Sequence, residues 1–187
     1  MKLTKRQNEI IDTALNLTAS GGIQNLTIKN LADALGITEP AIYRHFKNKS
    51  EIVKTMIARF DQAVSAEDRE LHGFDAVAAF ARRRFEQVTA APPLARVMFA
   101  EELFMDDEEF TELVFRMMHR HKAALEHSFR EAQENGEIRR DIPSDTLFRL
   151  VFGPVRLLIK QWGMTRGAFN LHQKGEELLS TLRTILR

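Results

Sequence analysis

Ile28-Lys29-Asn30-Leu31-Ala32-Asp33-Ala34-Leu35-Gly36-Ile37-Thr38, followed by Ala41-Ile42-Tyr43-Arg44-His45-Phe46-Lys47-Asn48-Lys49-Ser50, decides the reading of this chain. Thr27 stands where a helix N-cap belongs, with Leu26 and Leu31 at the positions that staple a helix start. Gly36 supplies a turn. Thr38 opens a second, short helix, and Pro40 falls in its first turn, where a missing N–H costs nothing. Helix, glycine turn and short helix make a helix-turn-helix, the motif that lays its second helix in the DNA major groove.

The second helix has the chemistry for that task. A reading helix presents short or polar side chains to base edges and cationic or hydroxyl groups to phosphates. Thr38, Glu39, Pro40 and Ala41 fill its N-terminal turn. Glu39 can accept from a cytosine amino group, Pro40 and Ala41 can touch a thymine methyl, and Arg44 can reach a guanine or a phosphate. Tyr43 and His45 suit phosphates. Lys47 and Lys49 are phosphate contacts or solvated charges, and the amides opening the next helix favour an anion. Ile42 and Phe46, four apart, share a face and belong to the core of the head.

The 187 residues suffice for one or two domains with a real core. Hydrophobic residues make up 44% and charged residues 28%, the balance of a soluble globular protein rather than a disordered one. No apolar run reaches membrane-spanning length and the N-terminus has no signal-peptide core, so the expected location is cytoplasmic. The absence of cysteine removes disulfides and thiolate metal sites. Net charge is +1, but residues 1–54 hold 8 Lys and Arg against 5 Asp and Glu, while the rest holds 19 against 21. A mildly basic head on a mildly acidic body suits a nucleic-acid module joined to a part that does not touch nucleic acid.

The whole chain reads as helix, with no period-two alternation over a strand length. Glycine and proline punctuation predicts nine helices, four in a head (1–54) and five in a body (55–187). They span about 5–19, a helix from 27, one from 38, one from 48 or 50 past Phe60, 74–90, 93–104, one after Asp106-Asp107-Glu108-Glu109 to 135, 143–162 and 171–186.

The stretch Leu26–Thr38, then Ile42-Tyr43-Arg44-His45-Phe46-Lys47-Asn48-Lys49, resembles the N-terminal domain of the TetR/AcrR family of bacterial transcription regulators. The likeness covers roughly residues 5–57. It implies an all-α fold, with a three-helix DNA-binding head and a helical body that binds a ligand and dimerises. It also implies a homodimer on a palindromic operator, usually a repressor, released by a small molecule. By the same likeness Thr27, Tyr43, His45 and Lys49 would bind phosphates, and Thr38, Glu39, Pro40, Ala41 and Arg44 would lie nearest the bases. Glu39-Pro40 departs from the family, which more often has small or basic residues and then Gly or Ala.

The body is less legible. Phe110, Val114, Met117, His121, Leu125 and Phe129 form one helical stripe. His121 interrupts it, either as a core histidine satisfied by a neighbour or as a polar group in a ligand cavity. Met98, Met105, Met117 and Met118 are core or an adaptable pocket lining. The candidate effector pocket is Met98, Phe110, Val114, Met117, His121, Phe152 and Arg156, and Arg156 could hold an anionic effector there. Arg149, Arg156 and Lys160 also read as a solvated face. Gly153-Pro154 should kink its helix. Arg82-Arg83-Arg84 is expected to be exposed. His119 and His121, two apart on a helix, cannot share an ion, so no metal or other cofactor is expected. The family likeness assigns Leu150, Leu158, Trp162, Leu178, Leu182 and Ile185 to a four-helix dimer interface. An enzyme lacks support: there is no phosphate-cradling loop, nucleophile elbow or paired-carboxylate arrangement. The other alternative is a ligand-independent DNA-binding factor controlled by a protein partner. A packed body would favour it, and a cavity would favour a ligand.

Overall fold

The computed structural model describes residues 3–62, 71–100 and 107–187. These residues are all-helical: α1 (Lys5–Gly21), α2 (Ile28–Leu35), α3 (Glu39–Tyr43), α4 (Lys49–Gln62), α5 (Gly73–Ala90), α6 (Pro93–Val97), α7 (Glu108–Glu134), α8 (Ser144–Met164) and α9 (Leu171–Ile185). A 3-10 turn at Ile23–Asn25, which the sequence reading did not anticipate, joins α1 to α2.

The head forms where local signals agree. Thr4 and Gln7 make a reciprocal capping box at the start of α1. The Thr27 hydroxyl accepts from the Asn30 amide at 3.0 Å, while Leu26 and Leu31 are fully buried beside it. The Asn25 side-chain amide donates to the Leu17 carbonyl and the Asn30 side chain donates to the Asn25 carbonyl, fixing the turn between α1 and α2. Gly36 takes the left-handed conformation (φ 64°), and the Ile37 amide returns to the Ala32 carbonyl. A side chain at Gly36 would strain this stop, which sets the angle between α2 and α3. Thr38 has the extended backbone of an N-cap, but its side chain makes no capping bond. Ile42 and Phe46 are buried, as their spacing requires.

In the body, α5 packs along α7 and α9, α7 along α8, and α8 along α9. Phe74, Phe85, Phe129, Leu147 and Ile159 are among its fully buried side chains. Two carboxylates from outside α5 satisfy its first amides: Glu131 accepts from Gly73 at 2.8 Å and Glu137 from Phe74 at 3.1 Å. Asp107 caps α7, accepting from the Glu109 and Phe110 amides. Helix α8 carries through Pro154 without a break in its assignment. No helix among the described residues is long and apolar enough to cross a membrane.

Two expectations are corrected, one in the sixth helix and one in the arginine run of α5. The helix starting at Pro93 ends at Val97 rather than near 104; Phe104, Met105 and Asp106 lie outside the described residues. Helix α4 runs across the expected head–body division at 54/55 and so joins the two parts. The arginine triplet on α5 is not an exposed patch. Arg82 forms a two-pronged pair with Glu176, and Arg84 is only 5% exposed.

Gly175 on α9 lies where a Cβ would overlap the Phe85 ring of α5. Gly175→Ala should therefore lower stability by about 1–3 kcal/mol, an overpacking cost that outweighs its gain in helix propensity. A shift of the urea midpoint to lower concentration checks this, and an unchanged or higher midpoint would contradict the close packing.

Candidate nucleic-acid interface and interior cavity

The helix-turn-helix gathers most of the sequence-predicted contacts on solvent-facing positions. Thr27, Thr38, Glu39, Pro40, Arg44 and Lys47 are exposed, and so is Tyr43, at 51%. An exposed tyrosine on a five-residue helix stabilises little by burial, so its phenol is available to donate to a phosphate. Ala41 and His45 are half-buried, the latter with its carbonyl accepting from Gln7 of α1 at 3.4 Å.

Lys49 stands apart from the others. Its ammonium donates to the Ile23 carbonyl at 2.8 Å, tying the first turn of α4 to the 3-10 turn, and burial lowers its pKa. The start of α4 is also already capped. Asn48 accepts from the Glu51 amide at 2.9 Å and the Glu51 carboxylate from the Lys47 amide at 2.6 Å. A carboxylate therefore already sits where the sequence suggested an anion site.

Within the body a cavity of about 200 Å³ lies between α4, α5, α7 and α8. Of the predicted pocket residues, Met98, Val114, Met117, His121, Phe152 and Arg156 line it, and Phe110 is buried elsewhere in the core. Sequence reading missed Phe60, Phe80, Phe99, Phe148 and above all Arg84. Arg84 was hidden by its place in an Arg-Arg-Arg run, which reads as a solvated face. Periodicity does carry a signal, because Arg84 is four residues from Phe80 on α5.

Arg84 and Asp61 tie the end of α4 to the body. The Arg84 guanidinium lies over the Phe60 ring at 3.8 Å. Its Nη1 donates to the Phe60 carbonyl at 2.9 Å and to the Gln87 side chain at 2.5 Å, and Gln87 donates to the same carbonyl at 3.2 Å. Burial pushes the Arg84 pKa down to about 9, opposed by Asp61 and assisted by Arg156, so the group stays charged at neutral pH. Asp61 accepts from His121 Nε2 at 2.8 Å and from Arg120 at 2.5 Å, both on α7. A carboxylate can only accept here, so Nε2 carries the imidazole proton. His121 is thus a core histidine with a partner and a cavity wall at once, edge-on to Phe80. Burial, with Arg84 adding to it, pushes its pKa to about 4, although Asp61 opposes the fall.

The six predicted interface residues divide. Leu150 and Ile185 are exposed and Leu158 and Leu178 half-buried. Trp162 and Leu182 instead lie in the protomer core, Trp162 donating from its indole to the Phe169 carbonyl at 3.1 Å. Leu157 (57% exposed) and Met164 (73%) form with Leu150 a stripe spaced by seven along α8.

Two outcomes follow from this geometry. Tyr43→Phe should weaken binding about five-fold on specific and random DNA alike, whereas substitutions at Ala41 or Arg44 should change sequence preference. Titration of both DNA classes checks this, and unchanged affinity for Tyr43→Phe would contradict a phosphate contact. At His121 the folded pKa lies below the ordinary value of about 6.5, so the unfolded chain takes up the proton first. Stability from this group is present above pH 6.5 and lost as pH falls towards 4. Urea midpoints for His121→Gln should fall less steeply across that window than those of the parent.

Comparison with known proteins agrees with both halves of the structure. The sequence profile described as "Bacterial regulatory proteins, tetR family" matches residues 10–56. The profile described as "Tetracyclin repressor-like, C-terminal domain" matches residues 76–186. Among curated relatives, the HTH-type transcriptional repressor KstR2 of Rhodococcus jostii is 25% identical over 190 residues, covering 94% of this chain and 88% of its own. Among solved structures, the fatty acid degradation regulator FadR of Bacillus halodurans matches with a TM-score of 0.84 at 20% identity, over 100% of this chain and 99% of that one. FadR of Bacillus subtilis in complex with stearoyl-CoA matches at 0.82 and 19%, over 96% and 99%. With its reading head and most of its body each accounted for, the chain belongs to the TetR family of bacterial regulatory proteins, DNA-binding regulators of transcription.

Proposed function

We propose that this regulator is a repressor that binds a palindromic operator as a homodimer and leaves it when a small molecule fills the cavity of the body. Residues 1–54 are the DNA-binding part, and 55–187 bind the effector and dimerise. One observation carries the reading: α4 begins at Lys49, directly after the reading helix, and brings Phe60 to the cavity wall. A helix rises 1.5 Å per residue, so a change at Phe60 is delivered to the head by a rigid arm roughly 16 Å long. The cavity favours a ligand-controlled protein over one controlled only by a protein partner.

The exposed Leu150–Leu157–Met164 stripe with Ile185 supports dimerisation through α8 and α9. Leucine or methionine at every seventh position suits a helix seam better than water. Two-fold symmetry would set the heads about one DNA turn, roughly 34–36 Å, apart or a multiple of it. The named function of the repressor KstR2 and the stearoyl-CoA bound to the Bacillus subtilis FadR are consistent with a ligand-responsive repressor. A DNA-binding regulator of this kind works in the cytoplasm.

The test is binding of the purified protein to the DNA flanking its own gene at two salt concentrations. Selective, dimer-cooperative binding that survives the higher salt, with a two-fold footprint, is the expected result. Binding that is unselective and vanishes with salt on this DNA and on sequences selected from a random pool would contradict the reading. Leu157→Glu should give a monomer by light scattering and lose operator affinity by at least ten-fold, because each head alone keeps only half of the contacts.

A further inference from the structure

A second groove, of about 320 Å³, opens where α1 of the head meets α6 and the end of α8. Asn16 and Ser20 of α1 line one side, Pro93 and Arg96 of α6 another, and Trp162 and Arg166 the third. It shares no described lining residue with the cavity of the body. Gly163 lets α8 approach α6 here: a Cβ at that position would meet the Ala95 Cβ at 3.0 Å and its backbone at 3.1 Å. The groove is at the opposite end of α1 from Gln7, which bonds to His45. Asn16 lies about 14 Å further along that helix, so the groove belongs to the junction with the body rather than to the reading surface.

Among the described residues the Arg96 and Arg166 guanidiniums make no hydrogen bond or ion pair, and neither does the Asn16 side-chain amide. Arg166 is also held against backbone preference. It is the one described non-glycine residue with positive φ (53°), at a helix-ending position that glycine or asparagine fills without strain. Strain of this kind persists where the surroundings enforce it, and it gathers at ligand clamps and other working sites.

We propose that this groove is a second ligand site, apart from the cavity of the body, and that it takes a small phosphomonoester with an aromatic body. The phosphate oxygens bond to Arg96 and Arg166, and the ring lies against Trp162 and Pro93. Two forked guanidiniums offer more N–H donors than the two oxygens of a carboxylate can use, and they match the three oxygens and near-double charge of a phosphate. The indole and the proline ring supply an apolar wall, and the volume is that of a small-ligand site. A ligand held by all three segments fastens α1 to α6 and α8, and so joins head and body at a second point besides α4.

Trp162 is the only tryptophan of the chain, so its emission reports on the groove directly. Titration of the full-length protein with phenyl phosphate at fixed ionic strength should shift that emission saturably. Binding should be about ten-fold tighter than that of benzoate, of inorganic phosphate or of neutral benzyl alcohol. Arg96→Gln and Arg166→Gln should each weaken phenyl phosphate by about ten-fold and leave benzyl alcohol unaffected. Arg166→Gly, which relieves the backbone, should weaken the ligand equally while unfolding at an equal or higher urea midpoint than the parent. A lower midpoint would mean that the arginine serves the fold, and would defeat the argument from strain. Benzoate or inorganic phosphate binding as tightly as phenyl phosphate would overturn the phosphomonoester. An emission that phenyl phosphate leaves unmoved, or an affinity that survives both glutamine variants, would overturn the site itself.

Discussion

A buried guanidinium held against a helix end is the constraint on which this molecule turns. A buried carbonyl left unmet costs about 1–3 kcal/mol. Here Arg84 and Gln87 of α5 meet the Phe60 carbonyl, and Arg120 and His121 of α7 meet the adjacent Asp61. The end of α4 is thereby fixed in the body by charge as well as by packing. At its other end, Lys49 fastens α4 to the turn between α1 and α2, and Arg59 pairs with Asp12 of α1 at 2.6 Å. The helix is anchored to both parts, and neither part can shift relative to it without breaking a named contact.

The same contacts explain why the cavity stays polar at all. An apolar pocket would be cheaper to form than one lined by arginine, since buried charge must be compensated. The aromatic faces of Phe60 and Phe80 over Arg84, and Phe99 against Arg156, offset part of that cost.

Legibility in the sequence followed locality. Thr27, Leu26, Leu31 and Gly36 specify their capping and turn geometry through neighbours three to five residues away, and the structure matches that reading closely. The stripe from Phe110 to Phe129 was equally legible, because a helix face is a local property. Arg84 was not, for its partner carbonyl is 24 residues away and only tertiary packing brings the two together. The Lys49 tie was illegible for the same reason, since its acceptor belongs to a turn 26 residues earlier. The burial of Trp162 and Leu182 within the protomer was not legible either, because a family likeness names helices and not which of their faces turns inward.

Gly153 belongs to two surfaces. It lines the cavity, and it lies on α8 between Leu150 and Leu157, with open space where a side chain would stand. A single helix thickness thus separates the cavity from the outward leucine stripe. In a dimer joined along that stripe, the two cavities would be neighbours through a shared wall rather than remote compartments. Filling one would press on the seam that shapes the other, so the second molecule of effector would meet a site already altered by the first. Occupancy of the dimer would then follow a curve that no single-site isotherm describes.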